Sequence, residues 1–157
     1  MDFRLSEEQK MLQATARDFL AKECPKTLVR AMEEDEKGYP PELWRKMAEL
    51  GWMGLCFPKE YGGSGSSFLD LVVLLEELGR ALVPAPFIST VVLGGLPILS
   101  WGTPAQKEQF LPQIIKGQMI LTTALTEPDS SCEPAGINVK AAREDSGFTI
   151  TGTKFFV

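Results

Sequence analysis

Residues 103–126, TPAQKEQFLPQIIKGQMILTTALT, contain the change from helix to strand on which the fold depends. The first four residues combine a threonine N-cap, a proline at the first helical position and a glutamine capping-box partner, so they predict a helix start. We expect that helix to reach about Lys116 and to end at Gly117. The last seven residues, 120–126, are rich in β-branched and apolar side chains, which favours a strand.

Five further helices are predicted before this stretch. A capping box formed by Ser6 and Gln9 begins the first, and Pro25 ends it. The remaining four are expected at residues 27–36, 40–50, 68–82 and 86–101. The fourth of the six, residues 68–82, is apolar nearly all round, which predicts a central helix.

A glycine-rich segment lies between the third and fourth helices. Gly51 is expected to cap the third helix, and residues 54–58 are expected to be extended. Residues 61–65, YGGSG, contain three glycines in five positions, so they predict a tight turn with positive φ angles.

Strand patterns continue after the first predicted strand. Residues 137–142 and 148–151 are the next two, and residues 155–157 begin another. The predicted fold class is therefore mainly α, with a six-helix domain at residues 1–118 and the first strands of a β domain at residues 119–157. Because the sequence ends inside a predicted strand with few partners, we expect the chain to be a fragment.

Composition excludes several classes of site. The 157 residues include no histidine, which rules out a Ser-His-Asp triad and any histidine-bound metal in this chain. The three cysteines form no CxxC pair, so neither a zinc site nor a disulfide framework is indicated, and reduced thiols favour a cytoplasmic protein. The net charge of −5 argues against nucleic-acid binding. Residues 81–106 carry no charge, but prolines and glycines interrupt them, which favours a buried helix over a membrane span.

Three segments, in this order along the chain, contain motifs that can be compared with those of known families. The first is residues 51–65, GWMGLCFPKEYGGSG, and the second is residues 101–117, WGTPAQKEQFLPQIIKG. The third combines ALTEP at residues 124–128, AGI at 135–137 and GTK at 152–154. Each is only moderately specific alone, but together they span nearly the whole chain and resemble the acyl-CoA dehydrogenase family.

The resemblance implies a fold and an activity. Family members have an α domain, a β-barrel middle domain and a C-terminal four-helix bundle, so this chain would hold the first domain and a truncated start of the second. The implied activity is FAD-dependent oxidation of an acyl-CoA thioester to the 2-enoyl-CoA, with the catalytic base outside this chain and the chain inactive alone. The implied partners are an acceptor like electron-transfer flavoprotein and further copies in a dimer or tetramer.

The resemblance also assigns flavin-contacting residues. Leu125 would offer its amide, and Thr126 its amide and hydroxyl. The full implied FAD set is Thr123, Leu125, Thr126, Ser131, Cys132 and Phe156, and Cys132 would also contact the substrate. The sequence departs from the family at residues 129–133, DSSCE, where the family commonly has Gly-x-Gly-Ser-Asp. Glu127 is expected to accept from local backbone donors or to form an ion pair, rather than to act as the base.

Two questions are left open at this point. One side of the 86–101 helix is implied to line an acyl pocket, where Gly94 and Gly95 either make room for the acyl group or permit close helix packing. A related flavin oxidase or monooxygenase, and a short non-catalytic subunit that completes a catalytic partner, are alternative functions.

Overall fold

A computed structural model describes residues 4–128, 136–145 and 147–157, and the chain divides into two compact units. The first unit, Met1–Leu121, is helical, and the second, Thr122–Val157, contains a two-stranded sheet. The mainly α fold class is confirmed. The domain boundary placed after residue 118 stays a prediction, while the contacts divide the chain after Leu121.

Six α-helices lie in the described part of the chain. They are α1 Glu7–Glu23, α2 Lys26–Met32, α3 Pro41–Glu49, α4 Phe68–Arg80, α5 Leu96–Trp101 and α6 Pro104–Ile115. The predicted capping boxes at Ser6 and Thr103 are confirmed, since each hydroxyl accepts from the amide three residues later. Local side-chain bonds therefore fix where α1 and α6 begin.

The predicted helix at 86–101 is divided into two parts. A π-helix, Ile88–Gly95, leads directly into α5, where Pro97 occupies one of the first two positions. Proline has no amide hydrogen to donate into the preceding turn, and glycine is a weak helix former. The π-helix therefore occurs next to Gly94, Gly95 and Pro97, where α-helical hydrogen bonding is weakest. No helix in the described residues is long and apolar enough to cross a bilayer.

The segment between α3 and α4 turns back on itself. Gly51 and Gly62 have φ angles of 76° and 94°, as the predicted cap and turn require. The expectation that residues 54–58 are extended is wrong, because Trp52–Gly54 forms a 3₁₀-helix. The Gly54 carbonyl accepts from both the Phe57 and Ser64 amides, which folds this segment into a compact turn.

The core of the first unit collects side chains from nearly all of its elements. Its largest fully buried members are Phe57, Leu20, Met47, Met53, Leu71, Leu74, Leu111 and Ile114. Each contributes about 1.5–3 kcal/mol by burial relative to exposure. The central-helix prediction for α4 holds for one face only, because Leu69 and Val72 on its outer face are 67% and 43% exposed.

The second unit contains β1 Lys140–Glu144 paired antiparallel with β2 Gly147–Thr151. These strands are displaced by up to three residues from the predicted ones. The predicted strand at 120–126 is wrong, since its only ladder contact in the described residues is an isolated bridge between Thr126 and Phe155. A strand needs a partner along its length, and the amide and carbonyl of Leu121 are already bonded to a side chain, that of Thr90.

Candidate functional site

An apolar recess of about 480 Å³ lies between the C-terminal half of α4 and the π-helix. Its apolar lining consists of Leu75, Leu78, Leu82, Val83, Ala85, Pro86, Phe87, Ile88 and Leu93. Among the described residues that line it, none carries a charge, and the Ser89 hydroxyl is occupied by a 3.1 Å hydrogen bond to the Pro86 carbonyl. The recess therefore suits an apolar group.

The turn after α4 forms one wall of this recess. The Val83 amide donates to the Leu78 carbonyl at 3.0 Å, and the Leu82 amide donates to the Gly79 carbonyl at 3.0 Å. These two hydrogen bonds are typical of a helix that ends at a residue in the left-handed conformation, which is usually glycine. Here the residue is Leu82, at φ 54°, and its side chain is 64% exposed. A strained leucine thus holds an apolar side chain at the edge of the recess.

The π-helix forms the opposite wall. Ile88 and Leu93 line the recess and are 55% and 50% exposed, while Phe87 and Val91 are buried in the core as predicted. π-Helical turns are rare and occur frequently at functional sites. An apolar recess therefore lies on the helix that was expected to line an acyl pocket.

Gly94 and Gly95 permit close packing. A Cβ at Gly95 would lie 2.6 Å from the Phe57 ring, and one at Gly94 would lie 2.7 Å from the Leu121 Cβ. Neither glycine lines the recess. Of the two open alternatives, the structure supports packing.

Thr90 is a buried polar residue whose role sequence reasoning missed. Its side chain is fully buried, and its hydroxyl accepts from the Leu121 amide at 3.1 Å and donates to the Leu121 carbonyl at 3.3 Å. The bond pair fastens the segment after α6 to the π-helix. In the sequence, Thr90 is a threonine within an apolar helix. Such a residue is common in helix cores, so it did not indicate a hydrogen bond to Leu121.

Glu127 is the buried charged residue of the second unit. Its carboxylate accepts from the Asn138 amide at 2.7 Å, from the Val139 amide at 3.0 Å and from Lys154 Nζ at 2.7 Å. The bonds from Lys154 and from the two amides hold the pKa of Glu127 below its usual value, against the effect of burial. The expectation that Glu127 accepts from backbone amides or forms an ion pair is confirmed. Its lowered pKa also makes Glu127 a poor general base, because such a base needs a raised pKa.

Leu125 and Thr126 precede this carboxylate. Their carbonyls accept from Lys154 Nζ at 3.1 Å and from the Phe155 amide at 2.9 Å. Within the described residues, the Leu125 amide and the Thr126 hydroxyl have no hydrogen-bond partner, whereas the Thr126 backbone is paired with Phe155 in an antiparallel bridge. Available donors on consecutive residues fit the carbonyl-bearing edge of a flavin.

The other residues of the implied FAD set are distributed differently. Thr123 lies exposed on the segment before Leu125, and Phe156 is 93% exposed at φ 57°. Phe156 directly follows Phe155, which is bridged to Thr126. Ser131 and Cys132 lie outside the described residues.

The first unit also contains an ion pair between a buried carboxylate and a half-exposed arginine that the sequence did not reveal. Glu77 on α4 is 2% exposed and accepts from Arg17 of α1 at 2.6 and 3.0 Å. The Arg17 hydrogen bonds hold the pKa of Glu77 below its usual value. Burial raises the pKa of the Cys24 and Cys56 thiols, which leaves little reactive thiolate at neutral pH.

Known proteins resemble this chain over nearly its full length. A probable acyl-CoA dehydrogenase of Bacillus subtilis, YngJ, is 33% identical over 160 residues, covering 100% of this chain and 41% of that protein. The CarC subunit of the caffeyl-CoA reductase-Etf complex of Acetobacterium woodii is 35% identical, covering 97% of this chain and 40% of that protein. An acyl-CoA dehydrogenase of Bacillus anthracis, solved in complex with FAD, has a TM-score of 0.80 at 29% identity, covering 94% of this chain and 26% of that one.

The chain spans about 40% of the length of the curated relatives it matches. The family model for the acyl-CoA dehydrogenase N-terminal domain matches residues 6–118, from the N-cap of α1 to just beyond α6. This match identifies the chain as a member of the acyl-CoA dehydrogenase family.

Proposed function

We propose that this chain is the N-terminal portion of an FAD-dependent acyl-CoA dehydrogenase, which oxidises an acyl-CoA thioester to the 2-enoyl-CoA. The observation that carries the proposal is the uncharged recess of about 480 Å³, whose lining falls within the residues matched to the family's N-terminal domain. Its size and apolar lining suit the acyl group of the substrate.

FAD is proposed to bind along the segment before Glu127. Leu125 would donate from its amide and Thr126 from its hydroxyl to the pyrimidine edge of the flavin, where negative charge develops on reduction. Thr123, Ser131 and Cys132 would complete this edge, Cys132 would also touch the thioester, and Phe156 would pack against the ring. Bound FAD supplies the two-electron acceptor for the hydride that leaves the β-carbon.

Removal of the α-proton requires a base, and Glu127 is the buried carboxylate of the described part of the second unit. Glu127 is committed to Lys154 and two amides, so it is not available for proton removal. We therefore propose that the base belongs to another part of the enzyme and that this chain alone is inactive.

An electron-transfer protein is proposed as the acceptor of the electrons. The support is that the relative CarC is a subunit of a complex with Etf. We further propose that the complete enzyme is a dimer or tetramer in the cytoplasm, where the Cys24 and Cys56 thiols would stay reduced.

The first test is the intact mass of the gene product in its own cells, followed by assay of the purified product. We expect a polypeptide much larger than this chain's 17.3 kDa that contains FAD and forms 2-enoyl-CoA with an artificial electron acceptor. A product without FAD that leaves every acyl-CoA unchanged would overturn the proposal. Electron transfer directly to oxygen would instead indicate a flavin oxidase.

The second test narrows the recess. Ile88→Trp should raise KM for long acyl-CoA substrates by about tenfold and change KM for short ones little, because the added ring occupies the space of several methylenes. Leu69→Trp is the matched control, since Leu69 lies on the outer face of α4 and is 67% exposed. Equal effects of the two variants across chain lengths would exclude the recess as the acyl site.

A further inference from the structure

Another cavity of the first unit, of about 340 Å³, lies between the C-terminal parts of α1 and α4. Three cations line it, Arg17, Lys26 and Arg80, against one carboxylate, that of Glu77. The lining residues therefore carry a net charge of +2, in a chain whose net charge is −5. Because cations around one cavity repel each other, an anion bound among them is stabilised.

The buried carboxylate of Glu77 orients one of these cations without neutralising all three. It accepts from Arg17 Nη2 at 2.6 Å and from Arg17 Nε at 3.0 Å, which holds the planar guanidinium in one orientation. Arg17 Nη1 has no partner among the described residues, so its donors are available. Asp18 and Glu76 also act on the charge of Arg17, but neither of them lines the cavity.

The other two cations also have unused hydrogen-bond donors. Arg80 Nε lies 3.8 Å from Glu77 Oε2, which is an ion-pair distance but too long for a hydrogen bond. The Lys26 ammonium forms no hydrogen bond or ion pair with any described residue. Three cationic groups with available N–H donors therefore line the same cavity.

Most of the remaining wall of the cavity is apolar. It includes Leu20, Ala21, Pro25 and Ala81, together with Leu82 at φ 54°. A leucine in the left-handed region is strained, and residues with such strain cluster at functional sites. The cavity thus combines donors for an anion with an apolar wall for a carbon skeleton.

We propose that this cavity binds a small organic phosphate, with Arg17, Lys26 and Arg80 donating to the phosphate oxygens and the apolar wall contacting the carbon skeleton. A phosphate dianion matches the net charge of the lining residues. Its three free oxygens can each accept from a different cation, whereas a carboxylate has only two oxygens. The inference goes beyond the proposed function, which assigns no ligand to this cavity.

The test uses the complete enzyme and phenyl phosphate as the probe, with binding measured by isothermal titration calorimetry at about pH 7.5, where the ester is a dianion. We expect saturable binding that weakens with added salt, because the donors are partly exposed cations. Arg80→Gln and Lys26→Gln should each weaken binding about tenfold through loss of a charge-assisted hydrogen bond. Arg45→Gln is the matched control, because Arg45 is 54% exposed against 58% for Arg80 and does not line the cavity.

Two further probes separate the phosphate group from the carbon skeleton. Inorganic phosphate should bind about fivefold more weakly than phenyl phosphate, since it cannot contact the apolar wall. Benzoate should also bind more weakly, since it carries one charge and two oxygens. Equal affinity for inorganic phosphate would overturn the assignment of an organic ligand, and equal affinity for benzoate would overturn the preference for phosphate.

The site itself is overturned if the wild type shows no saturable binding of phenyl phosphate, or if Arg80→Gln and Lys26→Gln both keep the affinity of Arg45→Gln. Should Arg80→Gln not fold, Lys26→Gln decides, because Lys26 is exposed and pairs with no described residue. The measurement does not use turnover of acyl-CoA. A negative result therefore leaves the proposed function standing, and loss of the proposed function leaves this site to be judged on its own binding data.

Discussion

At the scale of single residues, Leu82 combines a left-handed backbone with an exposed side chain. Its φ of 54° costs roughly 1–2 kcal/mol for a residue with a Cβ, and little burial offsets that cost because the side chain is 64% exposed. We expect Leu82→Gly to raise the free energy of unfolding, measured by urea denaturation, by about 1 kcal/mol. Leu82→Ala retains the Cβ and is the control. A gain as large in Leu82→Ala would show that the backbone is not the cause.

Thr90 provides a second residue-scale prediction. Thr90→Val keeps the shape of the side chain but leaves the Leu121 amide and carbonyl without their partner. We expect a loss of about 1–3 kcal/mol in the free energy of unfolding, because both groups lose their hydrogen bonds in a partly buried position. Thr90→Ser keeps the hydroxyl and should lose less. A larger loss in Thr90→Ser than in Thr90→Val would indicate that the methyl group, and not the hydrogen bonds, stabilises this contact.

At the scale of elements, two helical glycines of the same chain have opposite surroundings. Gly95 packs against the fully buried Phe57 ring, so Gly95→Ala should destabilise the unit by about 1–3 kcal/mol through overpacking. Gly79 lies on the exposed face of α4, where an added Cβ would meet no atom within 4 Å, so Gly79→Ala should stabilise by up to about 1 kcal/mol. Thermal unfolding of both variants checks the pair. A stabilising Gly95→Ala would contradict the packing that we describe.

At the scale of the whole molecule, the pair between Arg17 and Glu77 joins α1 to α4 across 60 residues of sequence. The pKa of Glu77 is lower in the folded chain than in the unfolded chain because of the Arg17 hydrogen bonds. The stability from this shift is therefore complete above the unfolded pKa, about 4.3, and is lost as the pH falls through the folded value.

Unfolding in urea from pH 7 to pH 3 measures this linkage. The stability difference between wild type and Glu77→Gln should be largest near neutral pH and should shrink below about pH 4. Glu34→Gln, which removes one exposed carboxylate, is the matched control for the change in net charge. A Glu77→Gln difference that stays constant over the whole range would rule out the proposed linkage.

The sequence by itself determined the features that depend on neighbouring residues. The starts of α1 and α6 were predictable because a capping box is completed within four residues, and Gly51 was predictable because a helix end needs a left-handed residue. The family was predictable because its motifs are runs of adjacent residues. Glu127 was predicted to be paired, although its partners were not named.

Only the tertiary structure decided the features that depend on residues far apart in the sequence. The pairs Arg17–Glu77, Thr90–Leu121 and Glu127–Lys154 join residues separated by 60, 31 and 27 positions, and no local pattern identifies such partners. The same contacts explain the error at residues 120–126, since β-propensity expresses a preference for pairing and cannot supply the partner. The physical reason is that a buried polar group must be satisfied by whatever the fold places beside it, and the fold alone determines that neighbour.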